Sequence, residues 1–306
     1  MNYINNEHYF MMRVRGNLHH KKLGDFFKTM NISKQKIQYL LSNNCCFVNG
    51  ELVDETKLLN QNDYLMIDIS NFEQIDYNSI NYKLDILYED EYLLIVNKPS
   101  SVIIYDQDNK TTSMANYVAN YYEKNNLNST IRHCHRLDKD TTGCLVYAKD
   151  LITHSAMSKM FEDNKIKKTY LAVTEGIIFK DGVITSPIGK DRHVNGKMIT
   201  HPNGQKAITK YKVVSKNQNT SLLCVEIETG RTHQIRVHLS SILHPLYGDK
   251  LYGAITESRV MLHCYKLNFV HPILGTRLEI TAKIPQDFNN ILKKERLSCD
   301  KINNLI

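Results

Sequence analysis

Apolar side chains recur at helical spacing near the start of the chain. Leu23, Phe26, Phe27 and Met30 fall three to four residues apart, which places them on one side of a helix. Ile37, Leu40 and Leu41 repeat the pattern after Ser33, whose hydroxyl suits a helix N-cap. Two helices joined near Asn31-Ile32 are therefore predicted. Phe47-Val48-Asn49-Gly50-Glu51-Leu52-Val53 comes next. Asn-Gly between apolar runs predicts a hairpin, because both residues tolerate positive φ. Tyr64 to Ile69 alternates as a closing strand. Residues 12–70 thus read as a small α/β unit.

Residues 71–82 are polar and aperiodic, and read as a linker. Beyond them the pattern is dominated by strands: Tyr92–Val96, Cys144–Ala148, Thr169–Val173, Ala207–Val214, Leu222–Ile227, Met261–Val270 and Leu278–Ile284. Helical spacing returns at Met114, Tyr117, Val118 and Tyr121, at Ser155–Phe161, and from Arg231 to Leu243 after a turn at Gly230. Many strands with few intervening helices predict an α+β fold for residues 83–290, built on a mixed, largely antiparallel sheet. Residues 291–306 form a charged tail expected to fray. There is no solenoid repeat.

Composition narrows the classes. The 306 residues are 42% hydrophobic and 23% charged, enough for a sizeable core in one large domain or two smaller ones. The net charge of +7 is compatible with nucleic-acid binding and equally with an ordinary basic protein. Seven cysteines, at 45, 46, 134, 144, 224, 264 and 299, form no CxxC pair. Thirteen histidines show no HExxH spacing. Neither a disulfide framework nor a metal site is expected. The polar N-terminus lacks a signal-peptide pattern and no apolar run is long enough to span a bilayer, so a cytoplasmic protein is expected.

The densest chemistry lies in His135-Arg136-Leu137-Asp138-Lys139-Asp140-Thr141-Thr142-Gly143, directly before an apolar strand. Burying charges costs several kcal/mol unless they are paired, so a use for the central carboxylate is expected. In an extended segment Arg136, Asp138 and Asp140 would share a side. For a lone aspartate, a structural ion pair is the commoner role. A second cluster, Thr229-Gly-Arg-Thr-His-Gln-Ile-Arg-Val-His238, crowds Arg231, His233, Gln234, Arg236 and His238 into one stretch. An arginine there suits bidentate capture of a carboxylate. A third, Lys165-Ile-Lys-Lys-Thr-Tyr170, runs basic residues into a strand. Tyr170 can stack on a base or move a proton, although a core aromatic is the commoner role. P-loop, GxGxxG and GxSxG patterns are absent, which disfavours ATP, dinucleotide and serine-hydrolase chemistry.

Together these stretches resemble the RluA/RluD-type RNA pseudouridine synthases. The resemblance is carried in order by Leu87–Pro99, His135–Gly143, Lys168–Val173, Gly204–Tyr211, Gly230–His238 with His244–Asp249, and Leu262–Leu267. Residues of about 20–70 are similar to the S-four-type RNA-binding domain. The resemblance implies a pseudouridine synthase fold and isomerisation of uridines in structured RNA, with ribosomal RNA as the expected partner and transfer RNA as the alternative. It implies no cofactor, and a monomer is expected. Asp138 would be the catalytic carboxylate, Tyr170 the stacking and proton-transfer residue, and Arg236 the counter-ion of Asp138. Arg136 would hold the flipped-out state. His135, Thr142, Arg231, His233 and Gln234 are expected to bind substrate, and Asp140 is expected to be structural. Two other readings compete. A non-catalytic RNA-binding or assembly factor has no need of Asp138, Tyr170 and Arg236 together. A hydrolase using Asp138 with His135 or His233 lacks a water-activating motif.

Overall fold

The computed structural model describes residues 8–300 apart from Asn17 and Asn109, together with Ile302. The polar opening, Met1–Glu7, and tail positions 301 and 303–306 lie outside the described residues. The first unit contains β1 (Tyr9–Arg13), β2 (Lys21–Lys22), α1 (Leu23–Thr29), α2 (Lys34–Ser42), β3 (Cys46–Val48), β4 (Glu51–Leu52), β5 (Leu58–Leu59) and β6 (Tyr64–Asp68). Its main sheet runs β1-β6-β3-β4. The two helices occur where the apolar spacing places them, and Ser33 caps α2 by accepting from the Lys36 amide. Asn49 and Gly50 both take positive φ, 53° and 84°, as the two-residue hairpin requires.

Residues 71–82 contain no strand or helix beyond the end of one short 3-10 turn, Ser70–Phe72. The segment is nevertheless fastened down. The Glu73 carboxylate is fully buried against Arg132 and also accepts from the Thr130 and Leu151 amides. Asp76 accepts from the Ile131 amide. The first unit packs directly on the large C-terminal unit. The Tyr92 hydroxyl donates to the Met11 carbonyl at 2.7 Å, and Arg15 donates to the Leu274 carbonyl.

The remainder comprises β7 (Ile86–Glu89), β8 (Leu93–Lys98), α3 (Met114–Lys124), β9 (Arg132–His133), β10 (Thr142–Ala148), α4 (Leu151–Glu162), β11 (Lys167–Glu175), β12 (Gly182–Ile184), β13 (Ile188–Lys190), β14 (Met198–Thr200), β15 (Thr209–Lys216), β16 (Thr220–Ile227), α5 (Gln234–Ser241), β17 (Leu262–Val270), β18 (Arg277–Thr281) and α6 (Gln286–Lys294). One large sheet runs β12-β15-β16-β11-β17-β10-β8-β7, with β18 on β17 and β9 on β10. Among these neighbours β10 and β17 pair in parallel and the others antiparallel. The fold is the α+β arrangement with a mixed, largely antiparallel sheet. Among the described residues no helix is long and apolar enough to cross a membrane.

Three expectations are corrected. The helix predicted from Arg231 begins only at Gln234, because His233 takes a left-handed backbone with φ 55°. The late strand predicted to run to Ile284 stops at Thr281. The tail boundary at 290 falls inside α6, and Leu292, Leu297 and Ile302 are buried in an apolar cluster with Phe288. Charged residues between those apolar positions masked the stripe that anchors the segment.

Candidate active site

The sheet aligns one residue from each of four adjacent strands. Gly143 on β10 pairs with Cys264 on β17, Cys264 with Tyr170 on β11, and Tyr170 with Val225 on β16. The charged loop enters β10 and the second cluster comes directly after β16, so the two meet at this level. Gly143 has φ 108°, and a Cβ there would lie 2.2 Å from the Cys264 carbonyl oxygen. Only glycine permits that approach.

Asp138 Oδ2 lies 3.2 Å from Arg236 Nη1, 98 positions away in the chain, and 3.9 Å from His233 Nε2. The expected pairing of Asp138 with Arg236 is present in geometry, but the bidentate contact goes elsewhere. Arg236 Nε and Nη2 donate to the two carboxylate oxygens of Asp249 at 2.7 and 2.8 Å. Asp249 is 1% exposed. Burial opposes the Arg236 charge, yet its hydrogen bonds to Asp249 and the nearby Asp138 outweigh that and hold its pKa above the usual arginine value. The arginine is thus clamped by one carboxylate and offers its remaining nitrogen to the other. Sequence reasoning assigned Asp249 no role. Its only signal was its place at the end of His244–Asp249, after Gly248, where a Cβ would lie 2.2 Å from the Arg259 carbonyl oxygen.

The backbone of the Asp138 loop is held from below. Lys98 is fully buried and its Nζ donates to the carbonyls of Pro99, Lys139 and Thr141 at 2.8–2.9 Å. Burial draws its pKa down to about 7, against the opposing pull of Asp140 and Asp138. Arg259 donates to the Asp140 carbonyl and is itself gripped by Asp287 on α6. Asp140 contributes a carbonyl to the loop's support, in keeping with its structural reading.

His233 stands beside Asp138. Its Nδ1 is 2.9 Å from the Tyr252 hydroxyl, which accepts from the Met198 amide. Burial lowers the His233 pKa, although Asp138 pulls the other way. The other ring nitrogen, Nε2, faces Asp138. The Arg236 guanidinium also lies over the Tyr252 ring, 5.0 Å from its centre.

Two cavities meet around Asp138. One of about 620 Å³ is lined by Arg136, Asp138, Tyr170, Arg231, His233 and Arg236. The other, about 700 Å³, shares Arg136, Asp138, Arg231, His233 and Arg236 and extends past Tyr105. Both volumes suit a small-molecule-sized ligand. Tyr170 is 5% exposed, and burial holds its phenol well above the ordinary tyrosine range, so it stays protonated at neutral pH. Arg136 lies over the Tyr105 ring, 5.7 Å from its centre.

The remaining expected substrate contacts divide. Arg231 lines both cavities, and its Nε donates to the Lys206 carbonyl. His135 borders the first cavity as a wall. It stacks on Phe161 at 4.5 Å, its Nε2 accepts from the Val146 amide, and burial draws its pKa down to about 3. Thr142 is a correction. It is buried with its hydroxyl 2.8 Å from His263 Nδ1 and borders neither cavity, whereas Thr141 lines both. Successive strand residues face opposite ways, and this pair straddles the start of β10. Gln234 lines the first cavity, with its side-chain polar atoms engaged inside the protein. Its carbonyl oxygen accepts from Thr229 Oγ1 and the Arg231 amide, and its amide nitrogen donates to Ile208 O and Thr209 Oγ1. Its polar capacity is used in closing the loop before α5.

Residues 92–241 match the family model described as RNA pseudouridylate synthase. The chain is 38% identical over 270 residues to the uncharacterized RNA pseudouridine synthase YhcT of Bacillus subtilis, covering 86% of this chain and 89% of that one. It is 31% identical over 298 residues to the ribosomal large subunit pseudouridine synthase D of Zymomonas mobilis, covering 87% and 90%. Among solved structures, human RNA pseudouridylate synthase domain containing 4 superposes with a TM-score of 0.61 at 26% identity, covering 70% of this chain and 94% of that one.

Proposed function

Because the chain belongs to the RNA pseudouridylate synthase family, and so isomerises uridine to pseudouridine in RNA, we propose that its target lies in large-subunit ribosomal RNA and that Asp138 is the carboxylate on which the reaction turns. The ribosomal target is supported by the large-subunit activity for which relatives such as that of Zymomonas mobilis are named. The role of Asp138 is supported above all by one observation: its carboxylate borders a nucleoside-sized cavity while touching an arginine already clamped by a second, buried carboxylate.

The chemistry rests on that arrangement. A base inside a stem cannot reach a protein carboxylate, so the uridine leaves the stack at a cost of a few kcal/mol. Arg136, on the cavity rim, holds the flipped-out state. Loosening the glycosidic bond builds positive charge on the ribose, which the Asp138 carboxylate meets. Arg236 keeps that carboxylate aimed. Tyr170 lies flat against the uracil and serves in proton transfer. Arg231 and His233 contact the bound nucleotide, with His135 as apolar wall. We read 12–70 as an S-four-like RNA-binding domain, 71–82 as a packed linker and the chain from 83 through α6 and the apolar positions packed with it as the catalytic domain. Arg13, Lys21, Lys22 and Lys34 of the first unit are exposed and suit phosphate contact.

The test is a map of pseudouridines in ribosomal and transfer RNA from a deletion strain, complemented with wild type or with Asp138→Asn. A uridine in large-subunit RNA should lose its modification on deletion and regain it only with wild type. An unchanged map would favour an assembly factor, full rescue by Asp138→Asn would remove the carboxylate mechanism, and free uracil among the products would indicate hydrolysis.

A further inference from the structure

Lys98, Lys149 and Lys168 are the buried lysines among the described residues, at 0%, 6% and 5% exposure. Two are fully engaged. Lys98 meets three carbonyls, and Lys149 meets Glu89 at 2.7 Å together with the Asp90 carbonyl. Lys168 differs. Its Nζ lies over the Phe161 ring, 5.9 Å from the centre, and finds no oxygen acceptor among the described residues. A buried ammonium with a ring face beside it but no hydrogen-bond acceptor still pays much of its desolvation cost, so a fold that retains one has a use for it.

Its position suggests the use. The pairing of β11 with β16 is regular through Thr169 and Tyr170, so Lys168 and Tyr170 project from the same face of β11. Both line the first cavity. The acids on that cavity's lining are Asp138 and Glu162, and Glu162 is exposed and paired with Lys159.

We infer that Lys168 is a further substrate-binding group, whose ammonium takes a carbonyl oxygen of the uracil and stabilises the negative charge the base carries while detached from ribose. This rests on the assignment of the first cavity to the flipped uridine. When the bond between C1′ and N1 breaks, its electron pair leaves with the uracil and spreads over N1 and the two carbonyl oxygens. Lys168 hydrogen-bonds one of those oxygens and keeps its proton. Asp138 meets the electron-deficient C1′. Re-bonding uses a uracil pair to join C5 to C1′, the C5 proton departs and N1 gains one, so atoms and electrons balance as an isomerisation.

The experiment is single-turnover conversion, at saturating protein, of an RNA stem-loop carrying the uridine that loses its modification on deletion, with wild type, Lys168→Met and Asp138→Asn. Methionine retains an unbranched apolar side chain of similar length and removes the charge. The rate should fall on the order of 100-fold, as for loss of one charge-stabilising donor, with RNA Kd changed less than about threefold. The melting temperature should hold or rise, since a buried charge without a hydrogen-bond acceptor has left the interior. A rate within about twofold of wild type overturns the inference, since a lost donor of this kind costs far more. So does a weakened Kd with the rate intact, which would assign Lys168 to a backbone phosphate. Parallel losses of rate and melting temperature would make it structural, and also overturn it. Should Lys168→Met not fold, Lys168→Gln carries the same measurements. A wild type that leaves the uridine unchanged defeats the reading of the cavity instead. An active wild type with an inactive Asp138→Asn and a full-rate Lys168→Met defeats this inference alone.

Discussion

Asp249→Asn separates the site's framework from its chemistry. The wild-type carboxylate receives Arg236 Nε and Nη2 at 2.7 and 2.8 Å and is 1% exposed, with the arginine 9% exposed. Asparagine retains one acceptor oxygen, turns an NH2 toward the guanidinium and removes the compensating charge. Hydrogen bonds to charged groups contribute about 1.5–3 kcal/mol each, and breaking a buried pair by removing one partner costs about 3–5 kcal/mol. A loss of about 3 kcal/mol is therefore expected, which lowers Tm by roughly 4–6 °C at this chain size. Arg236 retains Asp138 as its remaining carboxylate partner and is drawn toward it, so the carboxylate loses its fixed aim and the rate falls about 10- to 100-fold. Asp138→Asn supplies the contrast. Its carboxylate is 28% exposed and receives one contact at 3.2 Å, so that variant should melt within a few degrees of wild type while losing activity. Urea unfolding and single-turnover conversion, measured on both variants, test the division. An Asp249→Asn protein within about 0.5 kcal/mol of wild type and fully active would refute the claim that this carboxylate holds the arginine.

Three further outcomes are expected. Thr142→Val should retain full activity while losing about 1–2 kcal/mol, because it leaves His263 Nδ1 buried without its partner; a specific loss of activity would return Thr142 to the substrate side. Lys98→Met should lower activity by releasing the carbonyls of Lys139 and Thr141, and the stability difference from wild type should depend on pH. The folded Lys98 pKa is about 7, below the unfolded value of about 10.4, so between these values the unfolded chain holds more protons and wild-type stability should rise relative to the variant with increasing pH. A flat difference from pH 7 to 10 in chemical denaturation would contradict the depressed pKa. Replacing Lys21 and Lys22 with alanine should weaken RNA binding and reduce the salt slope by about 1–2, measured by titration across salt concentrations, if the exposed cations of the first unit meet phosphates; an unchanged slope would leave that face without RNA.

The helical and hairpin signals of the first unit were legible because each depends on neighbours a few residues apart: Phe26 and Phe27 share a stripe with Leu23, and Asn49-Gly50 sets its own turn. The strands β9, β12, β13 and β14 were not legible, since two or three residues carry too little alternation to register. The helix after Gly230 started late because Gln234 closes a loop on Thr229 and Arg231, a side-chain contest with the backbone that periodicity does not reveal.

By itself the sequence determined the α+β class, the family resemblance and the charge cluster around Asp138, for these depend on local spacing and ordered motifs. Tertiary structure decided how the cluster is partnered. It gave the fork of Arg236 to Asp249 and a single nitrogen to Asp138, turned Thr141 to the cavities and Thr142 to His263, and left Lys168 buried beside Tyr170 without an oxygen acceptor among the described residues. The physical reason is that pairing between side chains far apart in the chain depends on strand register, where a shift of one residue moves every side chain to the opposite face.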